Sequence, residues 1–400
     1  MNKEKDPNGT SVPVADLDSG YRLQRFFRFI LALMVVWSHS VVTFFPELPW
    51  FNKLQLGNAA VACFFVLSAY LMQWAIRTWY AGRLKNFIVN RYLHIAPPLF
   101  LAGIFSIMVH FGLVMMNIPL VGIENISVSV VNKYNVVYTL LSPLFPFNDL
   151  LIKMVPAMQE SPYTFVRYSW AIFTELIFYW TILLYYVMMQ FLPKNIVSIL
   201  FYCACIFMGF AGVVSYNNLI SEDLVNLVNN IPFISQLQWA PHFLLGVFLV
   251  KVNRFSIKFF AGSLPLVIAY LLSAIQLSLY AKADFMWVVS IYTLALIAGF
   301  SLILSPKKVH NFGLMKLDRA TDQLLGGLSY PICINQYAIV VLMISLCAYF
   351  SISFAEINIF ARVLIFLIYN LIVILLSNYL IKITDTLTDS LRDRIRGQKL

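Results

Sequence analysis

Charge is what this 400-residue sequence has least of. Only 12% of its residues are Asp, Glu, Lys or Arg, against 60% that are hydrophobic, and its mean hydropathy is +0.79. Soluble chains carry about twice that charge, so the scarcity excludes a soluble globular class and leaves a polytopic membrane protein. Acid is scarcer than base, with 18 Asp and Glu against 28 Lys and Arg and a net charge of +10. The excess does not point to nucleic acid, because the basic residues sit in short loops between apolar runs, as the positive-inside rule requires. The polar first twenty residues lack an apolar signal-peptide core, so the first span is expected to act as an uncleaved anchor. A Gly-rich phosphate loop, a nucleotide-binding signature and a metal triad are missing too. The five cysteines, Cys63, Cys203, Cys205, Cys333 and Cys347, fall in apolar runs without metal-ligand spacing. They read as packing residues, with no disulfide framework implied. No inverted internal repeat of the kind many transporters carry is evident, which disfavours that class.

What the sequence has in abundance is long apolar runs. Ten can be placed, at roughly 26–45, 59–79, 97–116, 165–191, 196–216, 236–251, 259–279, 285–304, 325–349 and 358–381. They predict an all-α, polytopic membrane protein of about ten transmembrane helices. Residues 1–21 form a polar N-terminal segment, 22–382 the membrane domain and 383–400 a short basic tail. Ten spans put both termini on one side. With that side cytoplasmic, the outer loops and helix ends hold only Lys53, Lys133, Lys153, Arg167, Lys282 and Arg362, so both termini are expected in the cytoplasm. The tail interleaves Arg392, Arg394, Arg396 and Lys399 with Asp389 and Asp393, and is expected to form a short amphipathic helix on anionic lipid. The outer segment 117–164 is proline-bearing yet apolar and aromatic. It is expected to fold over the mouth of the bundle, either as a plain lid or as an acceptor-binding surface. A second outer segment, 217–235, is Asn-rich, with Glu222 and Asp223.

Against this apolar background a few ionisable residues stand out. Arg28 and His39 are eleven positions apart in the first run, which puts them on one helical face about 16 Å apart in rise. An ionisable group inside a span is costly and marks a functional site by default; the alternative for His39 is a hydrogen bond to a neighbouring helix. Glu175 is the one acid well inside a span, at a depth of roughly 15 Å that is similar to that of His39. A buried carboxylate needs a partner or a proton, and His39 is the candidate, the pair being suited to general base catalysis. The alternative is a structural bond from a Tyr or Ser on another helix. Ser68 lies at comparable depth, where packing is the commoner role for serine. His242 is placed near the outer end of its span as a candidate acceptor contact, and His110 is a weaker version of the same case. Arg22, Arg25 and Arg28, with Arg77, Arg83, Lys85 and Arg91, gather on the cytoplasmic side. There they enforce topology, or hold the phosphates of an anionic cofactor.

In order along the chain, these motifs resemble those of the membrane acyltransferase 3 family. The Arg28–ten residues–His39 pattern comes first, then CFFVLSAYL around Ser68, which resembles the family's FFVLSG segment. NRYLHIAPP is similar to its Arg-rich stretch ending in proline, and WAIFTELIFY to its Trp–four residues–Glu–two residues–Phe-Tyr pattern. HFLLGVFL and LGGLSYPICINQ resemble two later motifs. The departures are Ala69 for a glycine, His94 for an arginine, and Gln336 (after Asn335) for a late histidine. The resemblance implies transfer of an acyl group, usually acetyl, from cytoplasmic acyl-CoA to a hydroxyl of a surface carbohydrate or lipid-linked glycan. The enzyme would be an integral protein of a bacterial inner membrane, with no permanently bound cofactor or metal. Carried onto this sequence, it makes His39 and Glu175 catalytic and puts Arg28, Arg25, Arg91 and Ser68 at the donor. His242, Trp170 and Tyr330 would contact the acceptor. The competing reading is a proton-coupled glycan or lipid transporter, or flippase, with His39 and Glu175 as its relay.

Overall fold

Among the described residues, the apolar runs are helical over most of their length. The computed structural model describes residues 3–5, 11–78, 80, 82–121, 128–144, 163–216, 225, 234–251, 264–281, 285–304 and 319–396. Two three-residue strands, β1 (Lys3–Lys5) and β2 (Ser11–Pro13), pair antiparallel ahead of the first helix, a local exception to the all-α expectation. The helices are α1 (Val14–Phe44), α2 (Pro49–Lys53), α3 (Leu56–Thr78), α4 (Leu84–Met115) and α5 (Lys133–Leu141). They continue with α6 (Trp170–Phe191), α7 (Lys194–Tyr216), α8 (Ile234–Leu237) and α9 (Ala240–Lys251). The last four are α10 (Leu264–Ala281), α11 (Phe285–Leu304), α12 (Arg319–Tyr349) and α13 (Ile359–Arg396). Among the described residues seven stretches are long and apolar enough to cross a membrane, and α9, α10 and α11 contain shorter apolar segments. The expected ten depends on those three; α9, at about 18 Å, falls short of a 30 Å hydrocarbon layer.

Two boundaries differ from the sequence reading for physical reasons. Helix α4 begins at Leu84 and runs through Pro97 and Pro98, where the sequence suggests a helix start. Proline removes a donor and breaks helices in water, but spanning helices tolerate it when neighbours supply the missing hydrogen bonds. The carbonyls left without their usual donor are those of Leu93 and His94; beside them Tyr330 on α12 donates to the Ile95 carbonyl, at 2.9 Å. At the other end, α13 continues without a break from its apolar part into the basic tail, as far as Arg396. Arg392 supports that extension by pairing with Asp385 (3.4 Å) and Asp389 (2.9 Å), two turns and one turn earlier. The tail thus prolongs the last span instead of forming a separate helix.

The chain divides into two compact units, one of residues 1–31, 58–89 and 174–327, the other of residues 32–57, 90–173 and 328–400. The first is built on α3 and α6 to α11. Phe243 of α9 stacks on Phe178 of α6 (3.8 Å between centroids) and on Phe65 of α3 (5.0 Å). Two glycines permit close approaches there: a Cβ on Gly246 would meet the Val66 carbonyl of α3, and one on Gly299 the ring of Phe27.

The second unit packs α12 and α13 with the end of α1, α4 and α5. Phe44 meets Phe354, Phe366 and Tyr369 edge-on or tilted, at 5.1 to 5.8 Å. The described parts of the outer segment are tied down here. Val121 exchanges two hydrogen bonds with Ser345, and Asn132 caps α5 by accepting from the Asn135 amide. Residues 163–169 are pinned to α5: the Tyr163 amide donates to Asn135 Oδ1 and the Phe165 amide to Thr139 Oγ1. Ser106 of α4 donates to the Phe165 carbonyl. His110 bonds the Ser106 carbonyl and the Tyr163 hydroxyl, which in turn meets the Tyr337 hydroxyl. His110 therefore anchors the strap. Residues 122–127 and 145–162, with most of 217–235, lie outside the described residues.

At the end of α1, Arg362 donates to Glu47 across 2.6 Å. The Glu47 backbone amide, aided by Arg362, holds its carboxyl below the ordinary value of 4.5. A lowered folded-state value gives stability that is present above the unfolded value and lost as pH falls through the folded one. Between about pH 6 and pH 3, heat unfolding of the wild type should therefore lose stability that Glu47→Gln never had. The check is the difference between the two unfolding midpoints across that range, which is expected to close on acidification.

Candidate functional site

Helix α1 carries Arg25, Arg28 and His39 without interruption, its residues 14–31 belonging to the first unit and 32–44 to the second. In the first unit Arg25 faces the buried carboxylate of Asp322 at 3.6 Å, with Asp322 wholly shielded from solvent. Gly326, one turn on in α12, is bare because a Cβ there would strike the Arg25 side chain at 2.6 Å. Arg25 is thus held in place by α12, as an ion pair whose buried acid needs a cation. Arg28, one turn along α1, is half-buried and has no ionic or hydrogen-bonding partner among the described residues. A planar fork of donors left open suits a phosphate or carboxylate.

Glu175 has the partner that its depth demands. Its Oε1 accepts from Ser68 on α3 at 2.9 Å and from Tyr179 one turn along α6. Both hydroxyls donate to the same carboxyl oxygen, which accepts through its two lone pairs. Its other oxygen takes no hydrogen bond among the described residues. This is the Ser-or-Tyr alternative of the sequence reading, and Ser68, expected at the donor, is placed on Glu175.

His242 is fully buried amid the rings of Phe65, Trp239 and Tyr292, with neither ring nitrogen hydrogen-bonded among the described residues.

His39 belongs to the second unit. Its imidazole lies flat on the ring of Tyr168, with centroids 3.9 Å apart and planes at 16°. The Gln336 side chain and the Val35 carbonyl are its polar neighbours. Neither closes a hydrogen bond on Nδ1, which is buried without a partner among the described residues. Gln336 itself is steered by its own Nε2, which donates to the Cys333 carbonyl at 3.1 Å and leaves Oε1 without a donor. Asn335 beside it donates to Ser377. Of the remaining expectations, Tyr330 donates its hydroxyl to Ile95, Trp170 is half-buried at the start of α6, and Arg91 is half-buried on α4. No group of three or more His, Cys, Asp or Glu able to hold a metal occurs among the described residues.

A half-buried imidazole stacked on a tyrosine, a carboxylate supported by two hydroxyls and an open arginine are parts that group transfer uses. Residues 25–381 match the acyltransferase domain family known as acyltransferase 3. The chain belongs to the acyltransferase 3 family. Neither a curated protein nor a solved structure matches it. Family membership and the long apolar helices together make it an integral membrane acyltransferase.

Three residues of this acyltransferase were not found from the sequence. Tyr179 had a signal, since it lies four residues after Glu175 and therefore on the same face. Asp322 had a weaker one, as an acid opening an apolar helix beside a basic cluster. Tyr168 had none, because it precedes α6 and reaches His39 only through the path of residues 163–169.

Proposed function

We propose that this acyltransferase moves an acetyl group from acetyl-CoA, taken from the cytoplasm, to a hydroxyl of a surface carbohydrate or lipid-linked glycan. The observation that carries the reading is His39, an imidazole within a span held flat on the ring of Tyr168, with Nε2 assigned to take the proton. In the step proposed, the acceptor oxygen attacks the thioester carbonyl as His39 removes its proton. The carbon–sulfur bond then breaks, and the CoA thiolate takes the proton back from the imidazolium. A base positioned in this way contributes about 10²- to 10⁴-fold. Arg28 is assigned to bind the anionic groups of CoA, and Glu175, held by Ser68 and Tyr179, is kept as a candidate catalytic carboxylate. Arg25, with its charge already shared with Asp322, is assigned to the surroundings of CoA. Trp170, half-buried at the start of α6, is assigned to the acceptor side.

The test is transfer of label from acetyl-CoA to a crude glycan fraction by membranes that contain the chain. Arg28→Ala is expected to raise KM for acetyl-CoA by about tenfold, the worth of one charge-assisted contact, with kcat nearly unchanged. No labelling above that of membranes without the chain, together with solute uptake driven by a pH gradient, would replace this reading with the transporter.

A further inference from the structure

We propose that Tyr168 is a positioning residue for His39, setting the plane of its imidazole and supporting the cation that forms on it. The inference rests on the reading of His39 as the base. A catalytic histidine is ordinarily oriented by a hydrogen bond on the nitrogen that does no chemistry. His39 lacks that bond: its Nδ1 has no partner among the described residues, and the neighbouring amide of Gln336 is turned toward Cys333. With Nδ1 unbonded and Gln336 and Val35 as its polar neighbours, the ring is weakly held against rotation about its last side-chain torsion, which is broad for histidine. The face of Tyr168, 3.9 Å away and within 16° of parallel, is the contact that opposes that rotation.

For a stack to orient anything, the supporting ring must itself be fixed. Tyr168 sits in a short turn, Arg167–Ser169, closed by the Ser169 amide on the Val166 carbonyl. The strap that leads into it is fastened at Tyr163 and Phe165 by Asn135, Thr139 and Ser106. On the ring itself, Tyr337 packs edge-on at 5.5 Å and 89°, and the Tyr337 hydroxyl is bonded to that of Tyr163. Hydrogen bonds thus hold the strap, the strap and Tyr337 hold Tyr168, and Tyr168 holds His39. The same face has an electronic effect. An aromatic quadrupole favours a cation over its face, so the stack is stronger once His39 has taken the acceptor's proton than before. That difference stabilises the charged intermediate relative to the resting enzyme.

The experiment compares wild type, Tyr168→Phe, Tyr168→Leu and His39→Ala at equal membrane content. It uses labelled acetyl-CoA with the glycan fraction, and carbethoxylation of His39 by diethyl pyrocarbonate followed by peptide mass spectrometry. Tyr168→Leu is expected to lower kcat by about 10- to 30-fold while KM for acetyl-CoA stays within about twofold. Tyr168→Phe keeps the ring face and should retain wild-type kcat to within about threefold. Carbethoxylation of His39 should be faster in Tyr168→Leu, where one ring face is uncovered, and unchanged in Tyr168→Phe. The proposal is overturned if Tyr168→Phe fails as badly as Tyr168→Leu, which would assign the effect to the hydroxyl. It is overturned equally if Tyr168→Leu keeps full kcat while His39→Ala is inactive. An active His39→Ala would instead remove the base reading on which it stands, and the two failures are told apart by that one variant.

Discussion

Replacing His39 by alanine is expected to lower acyl transfer by about 10³-fold, within the range that general base catalysis supplies. Alanine leaves the acceptor hydroxyl with its proton and a neutral oxygen to attack a thioester. The donor contacts would survive, so KM for acetyl-CoA should move little, and the loss would fall on kcat. His39→Gln separates shape from chemistry: it retains a polar side chain of similar reach but cannot take a proton, and is expected to be as inactive as His39→Ala. Incubation of wild type with labelled donor and no acceptor distinguishes the two roles open to a histidine. A base leaves the protein unlabelled, whereas an acyl carrier transfers label to the imidazole in wild type and not in His39→Ala. Transfer by His39→Ala at the wild-type rate would sink the mechanism.

The second large effect is expected at a residue with no chemistry. Gly246→Ala should sharply reduce the amount of folded protein, and Gly246→Val should abolish it. A Cβ at position 246 would lie 2.1 Å from the Val66 carbonyl oxygen, 2.8 Å from Ala69 Cβ and 3.0 Å from the Tyr70 amide. Two of these are backbone atoms of α3, so no side chain can swing aside; one helix would have to withdraw from the other. Overpacking of yielding side chains already costs about 1–3 kcal/mol, and a rigid clash exceeds that range, against a total stability of only about 5–15 kcal/mol. Small residues at helix crossings in membranes exist to allow this approach. Gly112→Ala in α4 is the matched control, because nothing lies within 4 Å of a Cβ there. It should be neutral, or slightly favourable through helix propensity of about 1 kcal/mol. The measurement is the fluorescence-detected size-exclusion profile of each variant after a heating series. Equal profiles for Gly246→Ala and Gly112→Ala would contradict the close crossing of α3 and α9. The displacement would also be felt in function, since α3 presents Ser68 to Glu175.

Much of this was legible in the sequence, for reasons that can be named. The apolar runs located the helices because a bilayer enforces length and composition directly. Glu175 announced a need for partners, because a carboxylate at that depth is costly alone. The sequence did not say which partners. His39 and Ser68 were both placed at comparable depth by counting residues, and only packing selects Ser68 and Tyr179. Pro97 and Pro98 misplaced the start of α4 because the rule that proline breaks helices assumes water, not packed neighbouring helices, around the turn. Tyr168 was illegible for another reason. Its contact with His39 joins positions 129 apart in sequence, through a strap whose course is fixed by α4 and α5, and no periodicity encodes such a path.

The continuity of α13 bears on how the protein sits in bilayers of different thickness. Arg362, tied to Glu47, and Lys382 are twenty positions apart on this helix, which is about 30 Å along its axis. That equals the typical hydrocarbon depth. With a cation at each border there is no surplus apolar length to take up by leaning: a tilt of about 30° would draw one of the two some 4 Å inward. The helix is therefore matched to an average membrane when nearly upright. Its remaining turns, from 383 to Arg396, carry it about 20 Å past the boundary as a rigid stem. In a thicker bilayer the mismatch would fall first on the Arg362–Glu47 end, where the partner acid stands at the edge of water.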